Sequence, residues 1–155
     1  AVGPLLRYPD RKIQHAGVVL GMTGMAGHVF RLKEPTELTD FGLPCWPRNY
    51  LAVTGACLVI DARKYDEIGG LDETFTIAGN DVALGISLYN KGYRNVYWPF
   101  AELIHYENVS VGSYQNVPKL DYEHSLTYYN PYLPNKDPYF NPNLDIMNEQ
   151  VRIKT

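Results

Sequence analysis

Of the side chains able to do chemistry, Asp81 sits in the most telling context. It opens a segment with Val82, Ile86 and Tyr89 at the i, i+4 and i+7 positions of one helix face, and it follows the loop Ala78-Gly79-Asn80, with Asn80 in the capping position. A carboxylate in the first turn lies at the positive end of the helix dipole, which favours its ionised form. Facing a cleft, such a group can accept a proton from a hydroxyl nucleophile; an ordinary acidic residue at a helix start fits the same pattern. His105 lies just beyond an extended run ending in Leu103-Ile104 and precedes Tyr106-Glu107-Asn108 and Ser110. Neutral imidazole is a common metal ligand whose tautomer a nearby carboxylate can fix, but one histidine gives no coordination shell, so a structural role stays open. His15 and His28 carry the same ambiguity, and His124, within a short C-terminal helix, reads as a surface residue. Asp72 and Glu73 are adjacent after Gly69-Gly70 and should point apart, one binding backbone amides and the other solvated. They do not by themselves indicate the opposed carboxylates of a glycoside hydrolase.

The elements that must position these groups follow an α/β pattern. Leu5 to Gly21 reads as a hairpin or strand pair turning at Pro9-Asp10. Gly21 to Gly27 is a loop or tight crossing whose GxxGxxG spacing matches neither the dinucleotide fingerprint nor the Walker motif. Prolines 35, 44 and 47 keep Arg31 to Tyr50 irregular, while Phe41, Trp46 and Tyr50 imply that it packs against something. Ala56 to Ile60 is an apolar run of buried-strand type, and Asp61 caps a helix from Ala62 to about Ile68 that ends at Gly69-Gly70. Gly92 closes the helix that starts at Asp81, and Asn95 to Phe100 is a further strand. Beyond Gly112 only Leu120 to Tyr129 suggests a helix, and the proline-rich Asn130 to Asn143 should wrap over the body.

Composition narrows the function classes. The chain has 155 residues, 45% hydrophobic and 20% charged, which suits one folded domain rather than a disordered segment. A formal charge of −3 is no footprint for nucleic acid, and no apolar run reaches the length of a membrane span. Cys45 and Cys57 fit neither a disulfide scaffold nor a zinc motif and read as buried thiols. The start at Ala1 without an initiator Met suggests excision from a longer protein. Thirteen tyrosines suit contact with sugars, though structural tyrosines are the commoner explanation.

Taken in order, Tyr8-Pro9-Asp10, Ile13-Gln14-His15-Ala16-Gly17, Gly27-His28, Asn49-Tyr50, Thr54-Gly55-Ala56-Cys57, Gly69-Gly70-Leu71-Asp72-Glu73, Asn80-Asp81, Gly92-Tyr93-Arg94, His105 and Asp137-Pro138-Tyr139-Phe140 form a specific series. The series resembles the C-terminal, acceptor-side portion of family-2 glycosyltransferases of the GT-A fold, in particular bacterial rhamnosyltransferase-like and O-antigen enzymes. The resemblance implies a partial GT-A fold: a mixed sheet with flanking helices over residues 1–112, and an irregular Tyr/Pro/Asn-rich extension over 113–155 packed on it. It implies Asp81 as the base that deprotonates a glycan or lipid-linked oligosaccharide acceptor attacking a nucleotide-sugar, with inversion. Thr54, Gly55, Ala56, Gly70, Leu71, Asp72, Glu73 and Asn80 would line the acceptor side, and His105 would help hold Mg²⁺ or Mn²⁺. Ala83, Gly85, Ser87 and Val111 depart from the family's usual polar and basic positions, and Arg11 replaces a turn glycine. No Asp-x-Asp occurs in the sequence. The expectation is therefore a segment that binds no metal and is catalytically silent by itself, acting in the cytoplasm or at the inner face of a membrane. The alternatives are a glycan-binding module that kept the fold, or an assembly element whose tail docks another domain or another copy, a pairing that an open sheet edge would favour.

Overall fold

A computed structural model describes residues 1–106 and 117–154; the expectations at Glu107, Asn108, Ser110 and Val111 lie outside them. β1 (Val2–Arg7) and β2 (Ile13–His15) form the expected hairpin, antiparallel with Leu6 opposite His15. Arg11 occupies the left-handed turn position at φ 74°, which is why a glycine is at home there. β6 (Asn95–Ile104) runs parallel to β1 and antiparallel to β5 (Arg48–Tyr50), giving a mixed sheet of order β2-β1-β6-β5. β3 (Val18–Leu20) and β4 (Ala26–His28) make a second, two-stranded sheet, closed by the Gly21 N–H bonding the Met25 carbonyl at 2.7 Å. Gly21 to Met25 is thus the hairpin connection, and Ala26-Gly27 already belong to β4. The overall α/β class agrees with the sequence reading.

Two local expectations need correction. Ala56 to Ile60 is not a buried strand: Val59 makes a single bridge to Val2 and is 71% exposed. The extended path is broken just upstream, where the Ala56 N–H turns back to the Thr54 hydroxyl at 3.3 Å. Asn80 is not the cap of its helix. α2 (Asn80–Asn90) is capped by Gly79 at φ 101°, and a Cβ there would lie 2.5 Å from Ser125 Oγ. Only glycine fits that position.

α1 (Ala62–Glu67) is capped as expected, Asp61 accepting from the Arg63 and Lys64 amides. α2 is buried on more than one stripe, because Leu51-Ala52 covers one side and α3 (Lys119–Tyr129) another. Gly85 passes so close to Leu51 that a Cβ would meet its carbonyl oxygen at 2.6 Å, so this departure from the family pattern has a packing reason. The Arg31 to Tyr50 segment packs through Arg48, whose guanidinium lies 4.6 Å from the Phe41 ring, while Phe41 meets Phe140 edge-on. Phe140, Leu144 and Val151 of the tail share a core with Leu5, Ile13, Val19 and Phe30. Each such side chain contributes about 1.5–3 kcal/mol of burial before ordering entropy is counted. Asp137, buried, accepts the Leu20 and Tyr139 amides, both at 2.9 Å, and desolvation pushes its carboxyl up to about 6. Cys45 and Cys57 are free thiols, partly rather than fully buried.

Candidate functional site

The N-terminus of α2 and the Thr54-Gly55-Ala56 turn meet at Asp81. Its Oδ2 accepts the Gly55 N–H at 2.7 Å, and its Oδ1 accepts the Val82 N–H at 2.8 Å. A Cβ at position 55 would lie 3.1 Å from the Asp81 Cβ, so the missing side chain is what lets this loop reach the acid. Among the described residues no Lys, Arg or His forms an ion pair with Asp81. Each oxygen therefore keeps a lone pair for a further donor. The side chain is half-buried, neither sealed nor fully solvated.

The same turn leads to the histidines. The Thr54 N–H donates to His15 Nε2 at 3.4 Å, and the His15 and His28 rings meet edge-on at 5.0 Å. His28 Nδ1 lies 3.0 Å from the Gln14 carbonyl and must donate to it, which leaves Nε2 as the acceptor. Burial holds His15 well below the usual imidazole range, helped by the neighbouring His28 and His105, so it is neutral. Burial also lowers His28, opposed by its Gln14 bond and by the charge of Asp81. His105 follows β6, its N–H bonding the Arg7 carbonyl at 2.8 Å; its Nδ1 is buried with no partner among the described residues. The charge of Asp81 thus raises His28 while His105 lowers His15, and the two middle rings are in edge-on contact. His15 and His28 are the members that spacing alone did not identify. Their signal lay in the Ile13-Gln14-His15 and Gly27-His28 stretches of the resemblance.

The other expected residues lie further along α2. Gly70, Leu71 and Asp72 line a cavity of about 220 Å³ together with Ala83, Leu84, Ser87 and Tyr128. Asp72 Oδ2 accepts from His124 at 2.7 Å and from the Tyr128 hydroxyl at 2.8 Å, and Oδ1 from the Thr74 amide at 2.9 Å. The His124 bond above all holds this carboxyl far below its ordinary range. Glu73 is exposed, so the adjacent pair divides as the sequence suggested. His124, by contrast, is no free surface residue: it pairs with Asp72 and packs edge-on against Phe75. Ala56 is exposed, and Asn80 lies in the first turn beside Asp81.

Sequence reasoning also missed Asp121. This buried carboxylate accepts three successive amides, Thr76 at 2.9 Å, Ile77 at 2.7 Å and Ala78 at 3.0 Å, immediately before α2. Ser125 and Tyr129 complete its buried i, i+4, i+8 face. Because that face is polar, it leaves no apolar periodicity to read.

Among the described residues no group of three His, Cys, Asp or Glu could hold a divalent metal. His105 offers a single buried nitrogen and no shell. Among the described residues, no helix is long and apolar enough to cross a membrane.

Comparison with known proteins adds relatives. The O-antigen biosynthesis protein RfbC of Myxococcus xanthus is 45% identical over 148 residues, 94% of this chain. An N-acetylglucosaminyl-diphospho-decaprenol L-rhamnosyltransferase of Mycobacterium tuberculosis H37Rv is 27% identical over 135 residues, 72% of this chain and 39% of that protein. The chain is homologous to glycosyltransferase-like proteins. The protein y4gI of Sinorhizobium fredii is 46% identical over 112 residues, 72% of this chain. The chain spans 12% of the length of RfbC and 12% of y4gI. No family model and no solved structure matches it.

Proposed function

We propose that the chain is the acceptor-side, base-bearing part of an inverting family-2 glycosyltransferase of GT-A type, serving O-antigen or cell-wall polysaccharide assembly. The observation that carries this reading is Asp81: a carboxylate at a helix start, oriented by two backbone amides, with no cationic partner among the described residues. As the acceptor oxygen forms its bond to the anomeric carbon, its proton passes to Asp81. The bond from that carbon to the nucleoside diphosphate breaks, the electron pair leaving with the diphosphate, and the centre inverts. A carboxylate suffices as base because it takes the proton only while the new bond forms. The Gly55 N–H holds Asp81, and the neutral His15 supports that turn through the Thr54 N–H. In this proposal Thr54, Gly55, Ala56 and Asn80 line the acceptor side together with Gly70, Leu71 and Asp72 of the neighbouring cavity and the exposed Glu73.

A Mg²⁺ or Mn²⁺ ion belongs in this proposal to the complete enzyme. The described residues do not form its shell, so no step here passes through it. By the same reasoning the isolated segment is silent, lacking an Asp-x-Asp. The natural setting is the inner face of a membrane, where lipid-linked acceptors are extended. A second reading, a glycan-binding module without chemistry, draws on the departures from the family's usual residues at Ala83, Gly85, Ser87 and Val111.

One experiment separates the two. The full-length protein is incubated with dTDP-L-rhamnose, UDP-N-acetylglucosamine, UDP-galactose or GDP-mannose and an N-acetylglucosaminyl-diphospho-polyprenol acceptor. Release of nucleoside diphosphate with an elongated, anomerically inverted product supports the transferase. Saturable binding of the acceptor with no turnover of any donor selects the binding module.

A further inference from the structure

The loop that delivers Asp81 has little apolar anchorage. Of residues 71–80 only Phe75 is buried, and Thr76 and Ile77 are exposed. Three of its amides instead converge on one carboxylate from a distant part of the chain. Asp121 is 1% exposed, its bonds to Thr76, Ile77 and Ala78 fall between 2.7 and 3.0 Å, and no cation pairs with it among the described residues. Such charge-assisted bonds are roughly twice as strong as neutral ones, and three of them satisfy most of the acid's lone pairs. The same helix face continues toward the site. Ser125, one turn on, donates to the Asp121 carbonyl at 2.8 Å and lies against Gly79, leaving no room for a side chain there. Tyr129, one turn further, is buried within electrostatic reach of Asp81.

We propose that Asp121 is a positioning residue for Asp81: by gripping the amides of residues 76–78 it sets where α2 begins, and so where the base meets the acceptor hydroxyl. The proposal rests on the reading of Asp81 as the base. An apolar residue at 121 could fill the space but could not bind three amides at once. An amide side chain could accept at one oxygen only, so part of the grip would be lost while shape and size stayed nearly the same. Displacing a reacting group by about 1 Å costs on the order of 10²-fold in rate, which makes a small change in the start of α2 visible in turnover.

The test uses the full-length protein, the donor that turns over fastest among the four nucleotide-sugars above, and the same polyprenol acceptor. Asp121→Asn should lower kcat by roughly 10- to 100-fold while leaving both KM values within about threefold, the pattern of an interaction needed only in the transition state. Asp121→Glu, which restores the carboxylate, should recover part of that kcat; general loosening would not be rescued by charge. Wild-type kcat in Asp121→Asn, beside an inactive Asp81→Asn, overturns the positioning role and leaves the base intact. Near-normal turnover in Asp81→Asn overturns the base itself. Should Asp121→Asn fail to fold, Asp121→Glu alone decides: reduced kcat at constant KM supports the proposal, and unchanged kcat ends it. Amide exchange gives a reading that needs no substrate. Residues 76–82 should exchange at least about tenfold faster in Asp121→Asn, with β1 and β6 unchanged, and equal exchange overturns the proposal.

Discussion

Asp81 opens α2 and Asp72 lines the cavity further along it, and their surroundings assign them opposite tasks. Asp72 is bound by an imidazole, a phenol and an amide, and its carboxyl is depressed accordingly. Asp81 is bound by two amides only. A carboxylate that shares its charge with a histidine and a tyrosine is a brace; protonating it would break several bonds. A carboxylate oriented by backbone alone keeps charge and lone pairs to spend on a substrate. Two acids close in sequence thus differ less in chemistry than in who already holds them.

The strongest way to break this contrast is Asp81→Asn. If Asp81 is the base, kcat in the full-length protein falls by about 10²- to 10⁴-fold, the range general-base catalysis spans. Folding changes little, because the amide still accepts one of the two backbone bonds; losing the other costs about 1 kcal/mol. Thermal unfolding and donor turnover, measured together, check both halves. Asp72→Asn should show the reverse profile. Weakening the His124 and Tyr128 bonds costs about 1–2 kcal/mol of stability, and loosening the cavity wall raises the acceptor KM several-fold with a smaller change in kcat. A kcat loss equal to that of Asp81→Asn would erase the distinction between brace and base.

The pH dependence of unfolding sharpens the contrast with a third acid. Asp72 is depressed from 3.8, so its contribution is complete above that value and is lost as pH falls below it. Asp137 is raised from 3.8 to about 6 by burial, so its contribution is complete below 3.8 and is lost as pH rises to about 6. Wild type should therefore lose stability relative to Asp137→Asn between pH 4 and 6, and relative to Asp72→Asn only in stronger acid. Urea unfolding at successive pH values gives both slopes. An Asp137→Asn curve parallel to wild type from pH 4 to 6 would show that its two amide bonds outweigh its desolvation.

What the sequence made legible follows a physical rule. The β1–β2 turn, the Asp61 cap, the helix from Asp81 and the strand from Asn95 are set by local interactions, and all appear where spacing placed them. Ala56 to Ile60 failed because apolar content says nothing of a side-chain hydrogen bond that turns the backbone at Thr54. Asn80 lost the cap to Gly79 because the helix begins one residue earlier, at a left-handed turn that suits glycine and that Ser125, far away in sequence, leaves no room to fill. The site divided the same way. Asp81 carried a local signal in its helix start, whereas His15, His124 and Asp121 matter through partners brought in by the fold. The buried face of α3 is acid, hydroxyl and phenol, and no hydropathy pattern marks it.

The smallest expected effect serves as the control that separates stability from chemistry. Arg11 holds φ 74° in the β1–β2 turn, far from both acids in sequence, and left-handed backbone costs a residue with a Cβ roughly 1–2 kcal/mol. Glycine removes that strain but adds about 0.5–1 kcal/mol of unfolded-state freedom. The Arg11–Glu102 contact, 3.7 Å long and exposed, adds little to offset. The turn's own bonds, the Arg11 amide to the Tyr8 carbonyl and the Arg7 guanidinium to the Arg11 carbonyl, use backbone that glycine retains. Arg11→Gly should therefore stabilise the fold by about 0.5 kcal/mol with kcat and KM unchanged. A parallel gain in kcat would mean that turnover follows global stability, and the losses expected at Asp81 and Asp72 would then have to be read against each variant's unfolding midpoint before either is called chemistry.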